Sequence, residues 1–391
     1  MALLRQFWTN FTGGEMDPLL SSRVDTHAYA NGAKTIRNMR ILAQGGVKRR
    51  PGTKYLATLS GTSFQMEPFI FSDEQTYFFI FRASNLDVYN GATGASVTTV
   101  GSCPWTSDMI GDLIVAQTAN TMIVTHPDLA TQRILRTGAS SFTVSNFAFK
   151  TKDNLVYQPY HKFESDSLTF NPSSTSGNIT ITASSSFFTS DHVNQNFRIK
   201  EKQVTITAVA SGTSASATVR ENLPNSDVTE DWEEPAISAT RKYPRTCCFH
   251  SGRLVFGGTK ELPNYVFTSK TSDYFNFDVG DASDDDSIQV QVLESQVSEL
   301  TGVLSFRHLL VFTDNSELYS PTSANNPLTP SNVSFRRQTR YGTSRLQAKE
   351  FDEAIIFLSK GKKSLREFEY DDIKQAYLSP SVSLLSGHLI S

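Results

Sequence analysis

Cysteine is scarce, three in 391 residues. Cys103 stands alone and Cys247 and Cys248 are adjacent. This excludes a disulfide scaffold, a Cys-x-x-Cys redox pair and any Cys/His zinc spacing. On a strand the adjacent pair points to opposite faces, and all three are expected as small buried residues in a reducing compartment. Long apolar runs are also missing. The longest, Phe78 to Phe81 and Ala354 to Leu358, have about five residues, against the roughly 18 a spanning helix needs, so no membrane span is expected. The opening Met-Ala-Leu-Leu-Arg lacks a charged stretch followed by an apolar one, so no secretory signal is expected. Nor is there an excess of one charge: 36 Lys and Arg stand against 39 Asp and Glu, a net of −3. That balance excludes a globally basic nucleic-acid binder and a polyacidic tail, leaving only local patches.

What is present favours strands. Aromatic residues reach 11%, with 27 Phe and 13 Tyr, while charged residues are only 19%. Aromatic and β-branched residues suit a pleated, half-buried surface. A short apolar strand, a polar turn and a second strand recur five times. The copies are Tyr77–Phe81 with Leu86–Tyr89, Leu113–Val115 with Met122–Val124, Arg253–Phe256 with Tyr265–Phe267, Leu309–Phe312 with Leu318–Tyr319, and Ala354–Leu358 with Leu365–Tyr370. Each reads as a β-hairpin. A spacing of roughly 40–60 residues per unit is the signature of a propeller; an ordinary β-sandwich with several hairpins is the alternative.

Two segments break the repeat. Residues 159–239 are rich in Ser, Thr and Asn, and stretches such as Asn178-Ile-Thr-Ile-Thr-Ala183 and Gln203-Val-Thr-Ile-Thr207 alternate apolar and polar residues. They read as a small antiparallel β-domain inserted in a surface loop of the body. Residues 1–55 hold nine Lys and Arg against Glu15, Asp17 and Asp25, a local excess of six positive charges. They read as turns and irregular chain with a short helix around Tyr29 to Arg40. The expected fold class is therefore all-β: a propeller-like body of repeated hairpins in two parts, 56–158 and 240–391, with the insert between them and an irregular basic N-terminal region before them.

Candidate sites are few. Gly45-Gly-Val-Lys-Arg-Arg-Pro-Gly-Thr53 lacks the closing Gly-Lys-Ser/Thr of a phosphate loop. It is expected as a tight turn with a cationic tip, where Lys48, Arg49 and Arg50 meet acidic protein surface or nucleic-acid phosphate; a solvated turn is the alternative. Asp281, Asp284, Asp285 and Asp286 suggest a cation site, but the alternating ligands, central Gly and distal Glu of a calcium loop are missing, and a solvated acidic turn fits better. His250 and Ser251, like Glu233 and Glu234, are strand neighbours that diverge, and no Gly-x-Ser-x-Gly elbow is present. No catalytic constellation, metal site or cofactor is expected.

Two stretches carry a resemblance. The first is Phe11-Thr-Gly-Gly-Glu-Met-Asp-Pro-Leu19, Arg23-Val-Asp25, Tyr29, Gly32, Asn38 and Gly45-Gly-Val-Lys-Arg-Arg-Pro-Gly-Thr53. The second runs from Tyr243-Pro244 and His250 through Arg253-Leu-Val-Phe-Gly-Gly-Thr259, Tyr274-Phe-Asn-Phe277, Asp284-Asp-Asp286, Leu328-Thr-Pro330 and Tyr341-Gly342 to Arg366-Glu-Phe-Glu-Tyr370. Together they resemble the tail nozzle proteins of short-tailed phages, also called tail tubular protein B or phage stabilisation proteins. In that family the chain runs on, after a stretch like Ser383-Leu-Leu-Ser-Gly-His-Leu389, into more sheet and a distal tip.

The resemblance implies a virion tail component, assembled in the host cytoplasm, that acts by assembly and gating and not as an enzyme. Six copies would ring the DNA exit channel below an adaptor, with tail fibres or other receptor-binding parts at the junction, retaining and then releasing genomic DNA without sequence specificity. The basic N-terminal region is then the expected adaptor-docking interface, with Arg23, Arg37, Lys48, Arg49 and Arg50 as contacts. The rival is a carbohydrate-binding or glycan-cleaving propeller or sandwich, in which Trp105 or Trp232 would stack on sugar and two carboxylates would share a cleft.

Overall fold

The computed structural model describes residues 8–323 and 327–390. The chain folds as two compact units. One is the continuous stretch Gly61–Arg337; the other joins Met1–Ser60 to Gln338–Ser391.

The Gly61–Arg337 unit is built on four-stranded antiparallel meanders whose strands lie side by side in chain order. The first sheet is Gln65–Ser72, Gln75–Arg82, Asn85–Asn90 and Ser96–Gly101. The second is Ile114–Thr118, Thr121–His126, Leu129–Gly138 and Ser141–Asn146. The third is Thr246–His250, Arg253–Gly257, Tyr265–Thr268 and Ile288–Gln291. The fourth is Leu300–Ser305, Leu309–Thr313, Glu317–Ser320 and Arg336–Thr339, the last strand running across the boundary at Arg337. In the first, third and fourth sheets the expected hairpin forms the middle two strands, with an outer strand on either side; in the second it forms the first two strands, Ile114–Thr118 and Thr121–His126.

Successive sheets stack face to face, as the blades of a propeller do. Phe69, Phe79 and Phe81 of the first sheet pack on Val115, Met122, Val124 and Ile134 of the second. Phe142 of the second sheet sets its edge 6.0 Å from Phe69, 5.2 Å from Tyr77 and 5.4 Å from Phe79, centroid to centroid. Burying each such ring contributes about 1.5–3 kcal/mol, and the edge-on geometry adds to it. The second sheet turns Ile123 the other way, onto Cys247, Leu254, Phe256 and Phe267 of the third. The third turns Cys248, Val255 and Val266 onto Leu300, Val303, Leu309 and Val311 of the fourth. Cys247 and Cys248 thus serve two different cores, as their alternation demands, and all three cysteines are buried and unpaired.

Polar links also join neighbouring sheets. The Gln117 side chain accepts from Ile70 N (3.0 Å) and donates to Ile70 O (2.7 Å). Thr125 Oγ1 donates to Arg245 O (3.1 Å), and Val303 N donates to Thr246 Oγ1 (3.0 Å).

Between the second and third sheets lies the inserted domain, a seven-stranded antiparallel sheet. Its strands run in the order Tyr160–His161, Trp232–Pro235, Asn196–Ile199, Lys202–Ser211, Ser214–Val219, Asn178–Ala183 and Phe170–Pro172. Ile179, Ile181 and Ala183 face inward while Asn178, Thr180 and Thr182 are exposed. They pack with Phe170, Phe197 and Trp232 in a core of their own.

In the other unit, Lys349–Phe351, Ala354–Leu358, Leu365–Asp371 and Ala376–Leu378 make a fifth four-stranded meander. One face buries Ile355, Phe357, Phe368 and Tyr377, with Phe368 stacked on Tyr377 at 4.5 Å. The expected helix around Tyr29 to Arg40 does not form. A single turn, His27–Ala30, starts one residue after the Thr26 cap, and Gly32–Ala33 and Met39–Ile41 are strands. Asn38, at φ +56°, sets the chain up for a strand pairing and against continued helix. Among the described residues no helix is long and apolar enough to cross a membrane.

Candidate functional site

The Phe-x-Gly-Gly-Glu-x-Asp stretch forms the hub of the unit it belongs to. Gly14–Glu15 pairs in parallel with Gly32–Ala33. Gly32 lies against Met16: a methyl group there would sit 2.2 Å from the Met16 sulfur. The two acids that follow hold residues from the far end of the chain. Glu15 Oε2 accepts from Ile36 N at 2.6 Å, and Oε1 lies 3.4 Å from His388 Nε2. The Ile36 N–H, with His388 behind it, holds the Glu15 carboxyl below its usual range. Asp17 caps the turn Pro18–Leu20 through Leu19 N (2.9 Å), and its Oδ2 accepts from His388 N (3.3 Å). Asp17 N donates to Leu385 O (2.8 Å) and Ser386 Oγ to Glu15 O (2.6 Å). A cleft of about 750 Å³ adjoins this knot, lined by Trp8, Phe11, Met16, Leu20 and Tyr29, with His388 on its wall. Its carboxylates are engaged by backbone N–H groups and His388, so the set reads as a clasp and not as a proton-transfer relay.

The expected cationic turn is a ribbon. Met39–Ile41 pairs antiparallel with Val47–Arg49, in the register Met39 with Arg49, Arg40 with Lys48 and Ile41 with Val47. The tight turn is Leu42–Gly46, closed by Leu42 N to Gly46 O (2.8 Å). It needs glycine at Gly45, where φ is +95°. The cations therefore leave the tip and lie along the returning strand. Register puts Arg40 and Lys48 on one face, joined by Arg50, whose Nε donates to Asn38 Oδ1 (2.9 Å). Met39, Ile41, Val47 and Arg49 occupy the other. Every residue of both strands is exposed, so the ribbon offers a cationic face and an apolar face.

The five expected docking residues separate accordingly. Lys48, Arg49 and Arg50 share the ribbon, on both of its faces. Arg23 sits on a turn and is bridged in parallel to Asp25, Nε to Oδ1 and Nη2 to Oδ2, each at 2.8 Å; this exposed pair cancels its charge locally. Arg37 is exposed on the loop between Ala33 and Met39 and acts on Glu15 at longer range. Arg40 belongs with the cationic face and was not among the expected contacts; once a hairpin is recognised, its parity with Lys48 is the signal.

The acidic turn also has an internal role. Lys270 Nζ stands 2.9 Å from both Asp285 Oδ2 and Asp286 Oδ1. Asp286 Oδ2 accepts from Ser283 N (2.9 Å). Beneath, the buried Arg253 guanidinium donates to the carbonyls of Ser269 (2.9 Å), Asp286 (2.5 Å) and Asp284 (2.8 Å). Asp281 and Asp284 are exposed, and among the described residues no group of three His, Cys, Asp or Glu side chains is placed to hold a metal. A lysine thus occupies the place a cation would take.

The paired acids diverge as strand neighbours do. Glu234 is fully buried against Arg241 (2.5 Å). Glu233 faces a pocket of about 250 Å³ with Tyr160, Arg198, Asp278 and Gln289. Burial raises the Glu233 pKa, but Arg198 pairs with Asp278 and lies 3.9 Å from Glu233, between the two carboxylates. Trp105 and Trp232 are buried. Their Nε1 groups donate to Arg82 O (3.0 Å) and Leu168 O (2.8 Å), so neither indole presents a face to sugar. His250 is buried, with Nδ1 2.9 Å from Ser305 Oγ and not directed at Ser251.

No family model matches the chain, and no curated protein matches it. Among solved structures, Hsv2 of Kluyveromyces marxianus aligns over 81% of this chain and 83% of its own, with a TM-score of 0.34 and 8% identity. The β-propeller domain of Cps50 (Swd1) from Myceliophthora thermophila aligns over 82% and 87%, with a TM-score of 0.37 and 8% identity. A Lactobacillus plantarum protein aligns over 79% and 82%, with a TM-score of 0.37 and 9% identity. At these scores the likenesses add nothing to what the sheets themselves establish.

Proposed function

We propose that this chain is a subunit of the tail nozzle of a short-tailed phage. In this reading six copies form a ring below an adaptor, line the DNA exit channel, and retain and then release the genome. The protein works by assembly, without a cofactor and without covalent chemistry. The observation that carries the reading is the exposed two-faced ribbon Asn38 to Arg50, folded from the same residues that resemble the nozzle family. Strands that are exposed on both faces and split into cationic and apolar sides suit a partner that is itself acidic and partly apolar. An adaptor ring fits that description. The remainder of the chain carries a compensating excess of acid, which suits a conduit that must let DNA slide instead of gripping it.

The test is charge reversal on the ribbon. Arg49→Glu with Arg50→Glu alters one cation on each face, and both side chains are exposed, so the protein is expected to fold with unchanged circular dichroism. It is expected to be excluded from tails in a complementation assay, with electron microscopy showing particles that end at the adaptor. Normal incorporation and infectivity would overturn the docking assignment. Absence of the wild-type chain from the tail axis of purified particles would overturn the nozzle reading itself.

A further inference from the structure

We infer that the ribbon Met39–Ile41 with Val47–Arg49 docks by strand addition, its Val47–Arg49 edge taking up an extended segment of the partner in which acidic and apolar residues alternate. The inference rests on the docking role proposed above and names the mode of contact and the chemistry of the segment. Hydrogen bonds at the two ends of the ribbon set its parity. Leu42 N donates to Gly46 O (2.8 Å) at one end, and Arg50 N donates to Asn38 O (3.0 Å) at the other. In an antiparallel ladder, bonded pairs alternate with unbonded ones. Between those two ends, Arg40 with Lys48 is therefore the bonded pair, and Met39 with Arg49 and Ile41 with Val47 are the unbonded pairs. The N–H and C=O groups of Met39 and Ile41 point out from one edge of the ribbon, and those of Val47 and Arg49 from the other. Among the described residues no third strand joins the ribbon, and no backbone group pairs with either edge.

A two-stranded ribbon exposed on both faces is marginal in water, and a third strand stabilises it. An open edge is a template for an extended chain: backbone bonds supply affinity and alternate side chains supply specificity. The side chains choose the occupant. Lys48 and Arg50 share the face that also holds Arg40, and all three are exposed, so the residues an added strand sets on that face are acidic. On the other face Met39 is 53% exposed, Ile41 40% and Val47 36%. The residues between the acids are therefore apolar, with the stem of Arg49 among them. The Met39–Ile41 edge carries one cation, Arg40, whereas Lys48, Arg49 and Arg50 follow one another along the second strand, which draws an acidic segment to the Val47–Arg49 edge. A second copy of the ribbon does not fit there, since it would set the same three cations against these.

The experiment uses the full chain and two capped peptides, one alternating Glu with Val and one alternating Lys with Val. Amide exchange is read residue by residue. In the free protein the Arg40 and Lys48 amides are expected to exchange more slowly than those of Met39, Ile41, Val47 and Arg49, because only the first two are bonded within the ribbon. With the Glu peptide the Val47 and Arg49 amides are expected to slow by about tenfold or more, while Met39 and Ile41 keep their rates. The Lys peptide is expected to change nothing. Val47→Pro removes one outward N–H and no bond within the ribbon, a change that edge positions accommodate. It is expected to weaken binding of the Glu peptide about ten- to hundredfold, with circular dichroism unchanged. Unaltered exchange at Val47 and Arg49, protection of Met39 and Ile41 instead, or equal binding of the Lys peptide would overturn the proposal, whether or not the proline variant folds. Protection of Val47 and Arg49 in a chain that is absent from tails would refute the nozzle reading and leave strand addition standing. Incorporation into tails that is lost with Arg49→Glu and Arg50→Glu but kept with Val47→Pro would overturn strand addition and leave the docking reading standing.

Discussion

Replacing Arg253 by methionine separates a structural acidic turn from a cation-binding one. The guanidinium is buried at the base of the turn and donates to three backbone carbonyls, those of Ser269, Asp284 and Asp286. Burial lowers its pKa, the acids above it opposing that shift. Hydrogen bonds from a charged donor contribute about 1.5–3 kcal/mol each, so losing three removes roughly 5–9 kcal/mol gross. Methionine fills much of the volume and recovers the several kcal/mol that stripping water from the guanidinium costs. The net loss is about 3 kcal/mol. With a urea dependence of about 3 kcal/mol per molar for a unit of this size, the unfolding midpoint is expected to fall by about 1 M. Trp105 and Trp232, both buried in this unit, report the transition by fluorescence. Lys270→Met is the control, because its pairs with Asp285 and Asp286 are nearer solvent; a much smaller shift is expected. A fall of under about 0.3 M for Arg253→Met, or a larger fall for Lys270→Met, would refute this reasoning. If millimolar calcium raised the wild-type midpoint and Asp285→Asn abolished the rise, the cation site would be reinstated.

Two further outcomes follow from buried titratable groups. Burial, with His308 adding to it, lowers His250 to about 4 from 6.5. The unfolded chain takes up its proton first, so stability is expected to drop as pH falls from 6.5 towards 4 and to level off below, and His250→Gln should flatten that slope in pH-dependent urea titrations. The Cys103 and Cys247 thiols are pushed up to about 12 and Cys248 is raised well above its ordinary value, all chiefly by burial. A thiol reagent at pH 8 is expected to find no reactive cysteine in the native protein and three in denaturant.

The repeat was legible because its signal is local. Runs such as Leu309-Leu-Val-Phe312 bury both faces, and a turn such as Asp314-Asn315 separates each from its partner. The outer strands were harder to see. Ser96–Gly101 has no fully buried residue, so its composition does not stand out from a loop. The helix expected around Tyr29 to Arg40 failed for a related reason. Met39–Ile41 is a strand of only three residues, too short to show its alternation, and its pairing with Val47–Arg49 leaves no trace in a short window. Of the candidate site, the residue types were readable and the geometry was not. Lys48, Arg49 and Arg50 announce a cationic patch, but only register divides them between two faces. The Asp281–Asp286 run announces charge, but of the groups that answer it Arg253 comes from a strand and Lys270 from the turn after Tyr265–Thr268. The link from Glu15 and Asp17 to His388 spans more than 370 positions, and nothing in the neighbourhood of either end points to the other.

That clasp imposes an order of events during synthesis. Gly61–Arg337 is one uninterrupted stretch and holds its own cores, so it can complete while translation continues. The residues before Gly61 are made ahead of that stretch yet complete their unit only after it. Asp17 N and Glu15 O have no acceptor or donor until Leu385 and Ser386 have emerged. The ribbon Met39–Ile41 with Val47–Arg49 therefore belongs to a unit whose folding waits until residues 385–388 have been made. A nascent or interrupted chain would carry its ribbon on an unfinished unit.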